Sequence, residues 1–443
     1  MQQSKILYFS VVVALAGFLF GFDTVVISGA DQQLQAFWQS SDLFHGLVVM
    51  STALWGTVIG AMFGSIPTNR IGRKKTLLAI GLLFFVSALG SALASNPWSF
   101  AFLRFIGGLG IGVSTVAAPA YVSEIAPPGK RGKLVAMFQF NIVFGILMAF
   151  VSNYLLRDLG DNAWRWMLGV EAAPALIYSF LVLGVPESPR WLMEYKNDEE
   201  AAREVMKGIM PEEDVKEEIA AIKREKAREV THEHIYMKKF RIPLLLAFFI
   251  AFFNQLSGIN AFLYYAPRIF ELAGLEKSAS FLSSIGIGAI NLIFTLIGIS
   301  MIDKFGRKTL MYLGSAGYII SLSLVSAAFA FRWEGMFVPV FFFLFIAAHA
   351  IGQGAVIWVF ISEIFPNRLR AAGQSFGASV HWVLAAAIPS LIPFLFTTIG
   401  PATVFIFFTL MMAGQLFWVI FRMPETKGQS LESLAARLTK NDP

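Results

Sequence analysis

Ser123-Glu124-Ile125-Ala126-Pro127 closes a long apolar run in the first half of the chain, and Ser362-Glu363-Ile364-Phe365-Pro366 closes another in the second. Two more pairs flank them in the same order. Gly72-Arg73-Lys74 returns as Gly306-Arg307-Lys308, and Pro186-Glu187-Ser188 returns as Pro424-Glu425-Thr426. The near-constant spacing between copies marks an internal duplication. Because every copy sits at the end of an apolar stretch, the duplication reads as two parallel halves of a membrane protein. That architecture moves small solutes between two faces.

With 443 residues, 56% of them hydrophobic, 14% charged and a mean hydropathy of +0.65, the chain has more apolar surface than a soluble core of its size would bury. Apolar stretches near the roughly 20 residues that cross a bilayer as helix begin around Ile6, Leu43, Thr76, Trp98, Lys133 and Trp164, and again around Arg241, Ser278, Lys308, Met336, Ala371 and Ala402. The alternation of barrel strands is absent. The expected fold is therefore an all-α membrane protein with twelve transmembrane helices in two six-helix bundles. The expected boundaries are an N-terminal bundle over 1–194, a cytoplasmic helical linker over 195–239, a C-terminal bundle over 240–423 and a tail over 424–443. The first run, Ile6 to Ser28, is long, lacks a small-residue cleavage site and carries Asp23, so it reads as a retained span rather than a signal peptide.

The net charge of +6 has a membrane explanation. Basic residues gather in alternate short loops, Arg70-Arg73-Lys74-Lys75, Lys130-Arg131-Lys133, Lys304-Arg307-Lys308 and Arg368-Arg370, while a loop such as Ser95-Asn96-Pro97 has none. By the positive-inside rule the basic loops and both termini are cytoplasmic, which places a multi-pass protein in the cytoplasmic (inner) membrane. Nucleic acid is not an expected partner. Cysteine is absent, so disulfides and thiolate metal sites are excluded. The stretch from Tyr195 to Lys239, with opposite charges at helical spacing around Glu217, Glu218, Lys223 and Arg224, should form amphipathic helices that join the halves. His232-Glu233-His234 lacks the i, i+4 spacing of a helical zinc site. With no phosphate-binding loop, metal-spaced set or catalytic triad in view, neither an enzyme nor a cofactor or metal is expected.

The motifs together resemble the sugar porter family of the major facilitator superfamily. Gly108, Gly112, Tyr121, Glu124 and Arg131 lie at the spacing of its signature, and Pro186-Glu187-Ser188-Pro189-Arg190-Trp191-Leu192 follows the sixth span. Gln255-Leu256-Ser257-Gly258-Ile259-Asn260 lies in the seventh, and Pro424-Glu425-Thr426-Lys427-Gly428 closes the match. The resemblance implies two bundles around a central sugar site that opens to either face in turn, with one chain sufficing as a functional monomer. It also implies a cytoplasmic gate of salt bridges, formed when the transporter faces outward, from Arg73, Glu124, Arg131, Glu187 and Arg190 in the first half and Asp303, Arg307, Glu363, Arg370 and Glu425 in the second. As exposed pairs worth roughly 0–1 kcal/mol each, they would form a latch from several weak bridges. Asn69 stands where the superfamily often has Asp, as sugar porters commonly do.

A sugar offers hydroxyls that donate and accept, plus an apolar face. Amides match the first and aromatic planes the second. Lipid tolerates intramembrane amides only where they face a cavity, and the chain has them at Gln139 and Asn141 in span five, Asn254, Gln255 and Asn260 in span seven and Asn291 in span eight. Gln255 and Asn260, five residues apart, are expected to share a broad helix face. By resemblance the hexose-contacting set is Gln139, Asn254, Gln255, Asn260, Asn291 and Trp358, with Phe20 and Trp382 closing the apolar sides; for Asn141 the expectation is an interhelical hydrogen bond. Asn254 replaces a Gln common among relatives, His381 stands beside Trp382 where relatives often have Asn or Gln, and span ten reads Gly352-Gln353-Gly354-Ala355-Val356-Ile357-Trp358 without the prolines of several relatives.

Asp23 lies deep in the first span, where a carboxylate costs about 2.5–3.5 kcal/mol on insertion scales. Arg104, inside span four, is its expected partner, and Glu171 in span six is a second intramembrane acid and a candidate relay. In the family, an acid at the first position goes with proton symport. Three readings follow: proton-coupled monosaccharide symport, passive facilitation by the same fold, and a non-transporting sugar sensor. Asp23 argues against the second, and the short tail after Arg422 against the third.

Overall fold

The computed structural model describes residues 2–127, 131–228, 234–333, 335–366, 369–429, 434, 437 and 438. Among the described residues, twelve helices are long and apolar enough to cross a membrane. Spans one to six are Ser4–Trp38, Asp42–Phe63, Arg73–Leu93, Pro97–Ile125, Gly132–Leu156 and Gly160–Leu183. Spans seven to twelve are Lys238–Leu272, Lys277–Phe305, Arg307–Ala330, Phe337–Ile364, Arg370–Thr398 and Pro401–Phe421. Their starts fall within a few residues of the hydropathy expectation, because lipid demands that each apolar run satisfy its own backbone. Between them lie the linker helices Glu199–Ile209 and Glu212–Arg228. Met193, Ala202, Met206, Val215, Ile219 and Ile222 give the linker a small core of its own, and Lys223 pairs with Glu199 at 2.6 Å across its outer side.

Small residues let the spans approach backbone to backbone, the usual basis of packing where lipid supplies no hydrophobic force. A methyl added at Gly108 of span four would lie 1.9 Å from the Ala53 carbonyl oxygen of span two. One at Gly21 of span one would lie 1.9 Å from the Ile142 carbonyl oxygen of span five. These contacts build the first half. The two halves then meet along spans one and seven, two and eleven, and five and eight.

The duplicated motifs turn out to be one structural device made twice. Gly72 (φ +99°) and Gly306 (φ +90°) precede spans three and nine in a conformation that only glycine adopts readily. The Glu187 carboxylate caps the first of these helices, accepting from the backbone N–H of Arg73 at 2.9 Å and Lys74 at 3.1 Å. Glu425 caps the second, accepting from Arg307 and Lys308, each at 3.0 Å. Partial burial alone would raise the Glu425 carboxyl, but the N–H groups of Lys427, Arg307, Lys308 and Thr426 outweigh it and hold it below the usual carboxylate range. Its stabilising contribution is therefore present above the ordinary carboxylate pKa and lost as pH falls through the lower folded value.

The arginine that follows each glycine reaches the third motif. Arg73 grips Glu124 through Nη2 at 2.8 Å and Nε at 3.0 Å, and Arg307 grips Glu363 through Nη2 at 2.7 Å and Nε at 3.1 Å. Asn69 and Asp303 occupy matching places, accepting from Nη1 of their respective arginines at 3.2 Å and 3.1 Å. The expectation of weak exposed pairs is corrected here. Side chains of Arg73 and Glu124 are only 7% and 10% exposed, and those of Arg307 and Glu363 only 9% and 19%, so water screens these bidentate pairs poorly. Each of these pairs also closes within its own half. Arg190 bonds Glu194 at 2.7 Å and Arg370 bonds the Ser362 carbonyl at 2.9 Å, again within one half. The Arg131 side chain, Lys130, Arg368, His232 and Glu233 lie outside the described residues.

Candidate functional site

At the centre of the first half, Arg104 Nη1 donates to Asp23 Oδ1 at 2.5 Å and Nη2 to the Asp23 carbonyl at 3.1 Å. Both side chains are 1% exposed. The approach depends on small neighbours, since Cβ of any residue but glycine at position 107 would press on Ser87 Oγ and sit 3.8 Å from Asp23 Oδ1. Glu171 is wholly buried, and its carboxyl stands beside that of Asp23. Asp23 and Arg104 are the charged groups that act on Glu171. Two acids thus face one base in a fully buried setting.

The sugar-facing residues expected from sequence converge for the most part in the second half. Span seven is broken rather than continuous, with helices Arg241–Leu256 and Ile259–Leu272 meeting at Gly258, whose φ is +84°. This corrects the expectation that Gln255 and Asn260 share one helix face. The break turns them toward each other, and Asn260 Nδ2 donates to Gln255 Oε1 at 2.8 Å. A side chain at position 258 would be strained by its φ and would meet the Phe408 ring at 2.8 Å. Gln255 Nε2 donates to Asn254 Oδ1 at 2.9 Å and lies 3.2 Å from the ring nitrogens of His381. His381 packs against Trp358 and Trp382 with ring centroids 5.2 Å and 4.9 Å apart.

Phe20 crosses from the other half to meet Trp382, centroids 5.6 Å apart. It lies three residues before Asp23, hence on nearly the same helix face, about 4.5 Å along the axis. Asn291 is buried on span eight with Oδ1 3.5 Å from the Thr295 hydroxyl of its own helix. Gln139 is half-buried on span five. Neither is drawn into the amide cluster. Asn141 donates to the Met137 carbonyl of its own helix at 2.8 Å, not across to another span as expected.

Span ten replaces the missing prolines with a π-helical turn over Ala350–Gly354. Its Gly352 lies so close to span nine that a Cβ there would be 2.8 Å from the Gly314 Cα. The turn directs Gln353 inward, where Nε2 donates to Gln415 Oε1 at 2.7 Å. The sequence reading missed Gln353 and Gln415, although both are intramembrane amides and the same cavity argument would have found them. It also missed Tyr264 of span seven, which is wholly buried and whose hydroxyl has no hydrogen-bond partner among the described residues.

At the face away from the termini, a third cluster joins the halves. Asp31 of span one accepts from Arg268 of span seven at 2.6 Å and 3.0 Å and contacts His45 Nε2 at 2.7 Å. Gln35 Oε1 accepts from Arg268 at 2.5 Å, and Gln32 Nε2 donates to Glu271 at 2.9 Å. Asp31 is 1% exposed. Sequence signals for this strap were weak, because charges near span ends ordinarily snorkel to the interface.

The sequence profile of the family described as "Sugar (and other) transporter" matches residues 9–438. The chain is 38% identical to a putative metabolite transport protein, YwtG, of Bacillus subtilis, with 98% of this chain and 95% of the relative covered. It is 34% identical to an arabinose-proton symporter of the same organism, covering 97% of this chain and 94% of the relative. A partially occluded inward-open structure of the xylose transporter XylE from E. coli superposes with a TM-score of 0.87 at 31% identity, over 96% of this chain and 100% of that one.

Proposed function

From the membership of this chain in the sugar transporter family of the major facilitator superfamily, we propose that it carries a monosaccharide, a hexose or pentose, together with a proton across the cytoplasmic membrane by alternating access. The termini and basic loops face the cytoplasm, and one chain is the working unit. The observation that carries this reading is the buried Asp23–Arg104 pair with Glu171 beside it, one helical turn from Phe20. The relatives named for proton symport of arabinose and for xylose transport support it.

In this reading Asp23 is the coupling acid. Its carboxylate holds Arg104; when it takes up a proton the pair relaxes, and Glu171 and the Tyr264 hydroxyl, both buried in the membrane-spanning region, share the proton or receive the freed guanidinium. Because Phe20 touches Trp382, movement of span one is felt at the sugar site. Asn254, Gln255, Asn260 and His381 bind hydroxyls, while Trp358, Trp382 and Phe20 cover the apolar face. Gln139 and Asn291 complete the site when sugar draws the halves together. The gate clusters around Arg73 and Arg307 brace the cytoplasmic ends.

The test is sugar-driven proton movement in proteoliposomes. Adding D-xylose, D-glucose, D-galactose or L-arabinose outside should alkalinise the medium for the sugar that is carried. Sugar entry with no accompanying pH change would leave passive facilitation instead.

The far-face strap yields a second expectation. Removing one partner of a buried ion pair typically costs about 3–5 kcal/mol, so Arg268→Met should weaken closure at the outer side. Spin labels at Gln39 and Glu276, both exposed on that side, should then report a new population at longer distance. An unchanged distance distribution would mean that the strap does not hold the halves closed.

A further inference from the structure

Behind the amides assigned to the sugar lie three wholly buried polar side chains, Ser315, Gln353 and Gln415, joined to them by a run of hydrogen bonds. The Ser315 hydroxyl donates to the Met311 carbonyl at 2.7 Å. Gln415 Nε2 donates to Ser315 Oγ at 2.8 Å, and Gln353 Nε2 donates to Gln415 Oε1 at 2.7 Å. Asn254 Nδ2 donates to Gln353 Oε1 at 3.4 Å, Gln255 Nε2 to Asn254 Oδ1 at 2.9 Å, and Asn260 Nδ2 to Gln255 Oε1 at 2.8 Å. Ser315, Gln353 and Gln415 each have no exposed surface.

We propose that Ser315, Gln415 and Gln353 are positioning residues that fix which end of each sugar-facing amide donates and which accepts. The inference rests on the sugar-transport reading and deepens it. An amide can be turned over at almost no cost in shape, so its polarity must be set by a neighbour that cannot reverse. The Met311 carbonyl is such a neighbour, because a carbonyl only accepts. It takes the Ser315 proton, so Ser315 Oγ accepts and Gln415 must offer Nε2 to it. Gln415 then shows Oε1 to Gln353, which must turn Nε2 outward and Oε1 toward Asn254. The Ile250 carbonyl, 3.5 Å from Gln353 Nε2, biases Gln353 in the same sense.

The order propagates to the cavity. Asn254 presents Nδ2 to Gln353 and Oδ1 to Gln255, Gln255 presents Oε1 to Asn260, and half-buried Asn260 is left with Oδ1 to receive a sugar hydroxyl. The second N–H of Gln255 points to His381, which therefore turns an unprotonated ring nitrogen toward it. Reversing any one member would set N–H against N–H or oxygen against oxygen in a dry interior, and a lost buried hydrogen bond is expensive. The donor pattern read by the sugar is thus written in span nine and delivered through spans twelve and ten.

The experiment uses the purified full chain in detergent and equilibrium binding of D-glucose, D-xylose, D-galactose and L-arabinose. The sugar that binds is then compared, hydroxyl by hydroxyl, with its deoxy and deoxyfluoro forms. Fluorine cannot donate but accepts weakly, so a hydroxyl facing an N–H should tolerate fluorine better than hydrogen, and one facing an oxygen should not. In the wild-type protein these contrasts should reach about five- to tenfold with opposite signs at different hydroxyls, the scale of one buried hydrogen bond. In Gln415→Met and Ser315→Ala they should shrink below about twofold, while Ser315→Thr, which keeps the hydroxyl, should preserve them.

A merely structural role would lower thermal stability or weaken every sugar equally and leave the contrasts intact, and that result overturns the proposal. Should Gln415→Met not fold, Ser315→Ala, which deletes a single oxygen, decides the matter. A wild-type protein that binds a sugar without opposite-signed contrasts also overturns it. Failure to bind any of the four sugars would instead overturn the sugar-transport reading itself.

Discussion

Asp23→Asn is expected to abolish uphill sugar uptake while leaving sugar exchange across proteoliposomes largely intact. One proton entering with each sugar at a driving force near 150 mV supplies about 3.5 kcal/mol, from roughly 2.3 kcal/mol per 100 mV. At 1.36 kcal/mol per tenfold, that sustains an accumulation of a few hundredfold. Asn keeps an oxygen that can accept from Arg104 Nη1 and leaves the backbone carbonyl contact at 3.1 Å untouched. It removes the titratable proton. Accumulation should therefore fall to about unity, the value for passive entry, whereas labelled sugar should still equilibrate against unlabelled sugar. Retained exchange shows the variant to be folded and able to bind. Uphill uptake that survives the substitution would remove Asp23 from the coupling.

Gly108→Val is expected to prevent assembly of the first half. Even a methyl at this position would lie 1.9 Å from the Ala53 carbonyl oxygen and 2.7 Å from its carbon. Those atoms belong to the helical backbone of span two, which cannot step aside as a side chain can. Small-to-large changes in a packed core typically cost about 1–3 kcal/mol; one that forces two helices apart belongs with the exceptional losses of about 4–5 kcal/mol or more. The protein should be lost from the monodisperse fraction on size-exclusion chromatography, or should melt far below the wild type. Gly208→Ala, where an added Cβ meets nothing within 4 Å, should match the wild type or exceed it. A Gly108→Val variant that is monodisperse with an unchanged melting temperature would contradict the packing described for spans two and four.

The membrane fold was legible because its cause is local. Each apolar run long enough to cross a bilayer must form a helix, so the twelve starts could be read to within a few residues. The duplicated motifs were equally plain as letters, but their function was not. That Gly72, Arg73, Glu124 and Glu187 form one capped and bridged unit depends on three segments meeting, as does the matching unit around Arg307. Their burial, and with it the strength of the pairs, could not be read from residue type. The pairing of Asp23 with Arg104 was readable, because two opposite charges in a low-dielectric medium have few other ways to be accommodated.

The residues proposed to face the sugar divide in the same way. An amide in a membrane helix advertises a polar neighbour, so Asn254, Gln255 and Asn260 could be singled out, but the identity of each neighbour could not. The break at Gly258 turned an expected shared face into a direct hydrogen bond between Gln255 and Asn260, and the π-helical turn of span ten brought Gln353 to Asn254. The strap of Asp31, His45 and Arg268 stayed hidden, since charges near span ends look alike whether they meet water or one another.

By itself, the sequence determined that this chain is a twofold repeat of membrane helices with intramembrane acids and amides that need partners, because desolvation penalises those groups wherever they sit. Only the tertiary structure decided which partners they take. Hydrogen bonds and ion pairs are directional and short-ranged, and residues more than two hundred positions apart, such as Asp31 and Arg268, reach bonding distance only after the helices have packed.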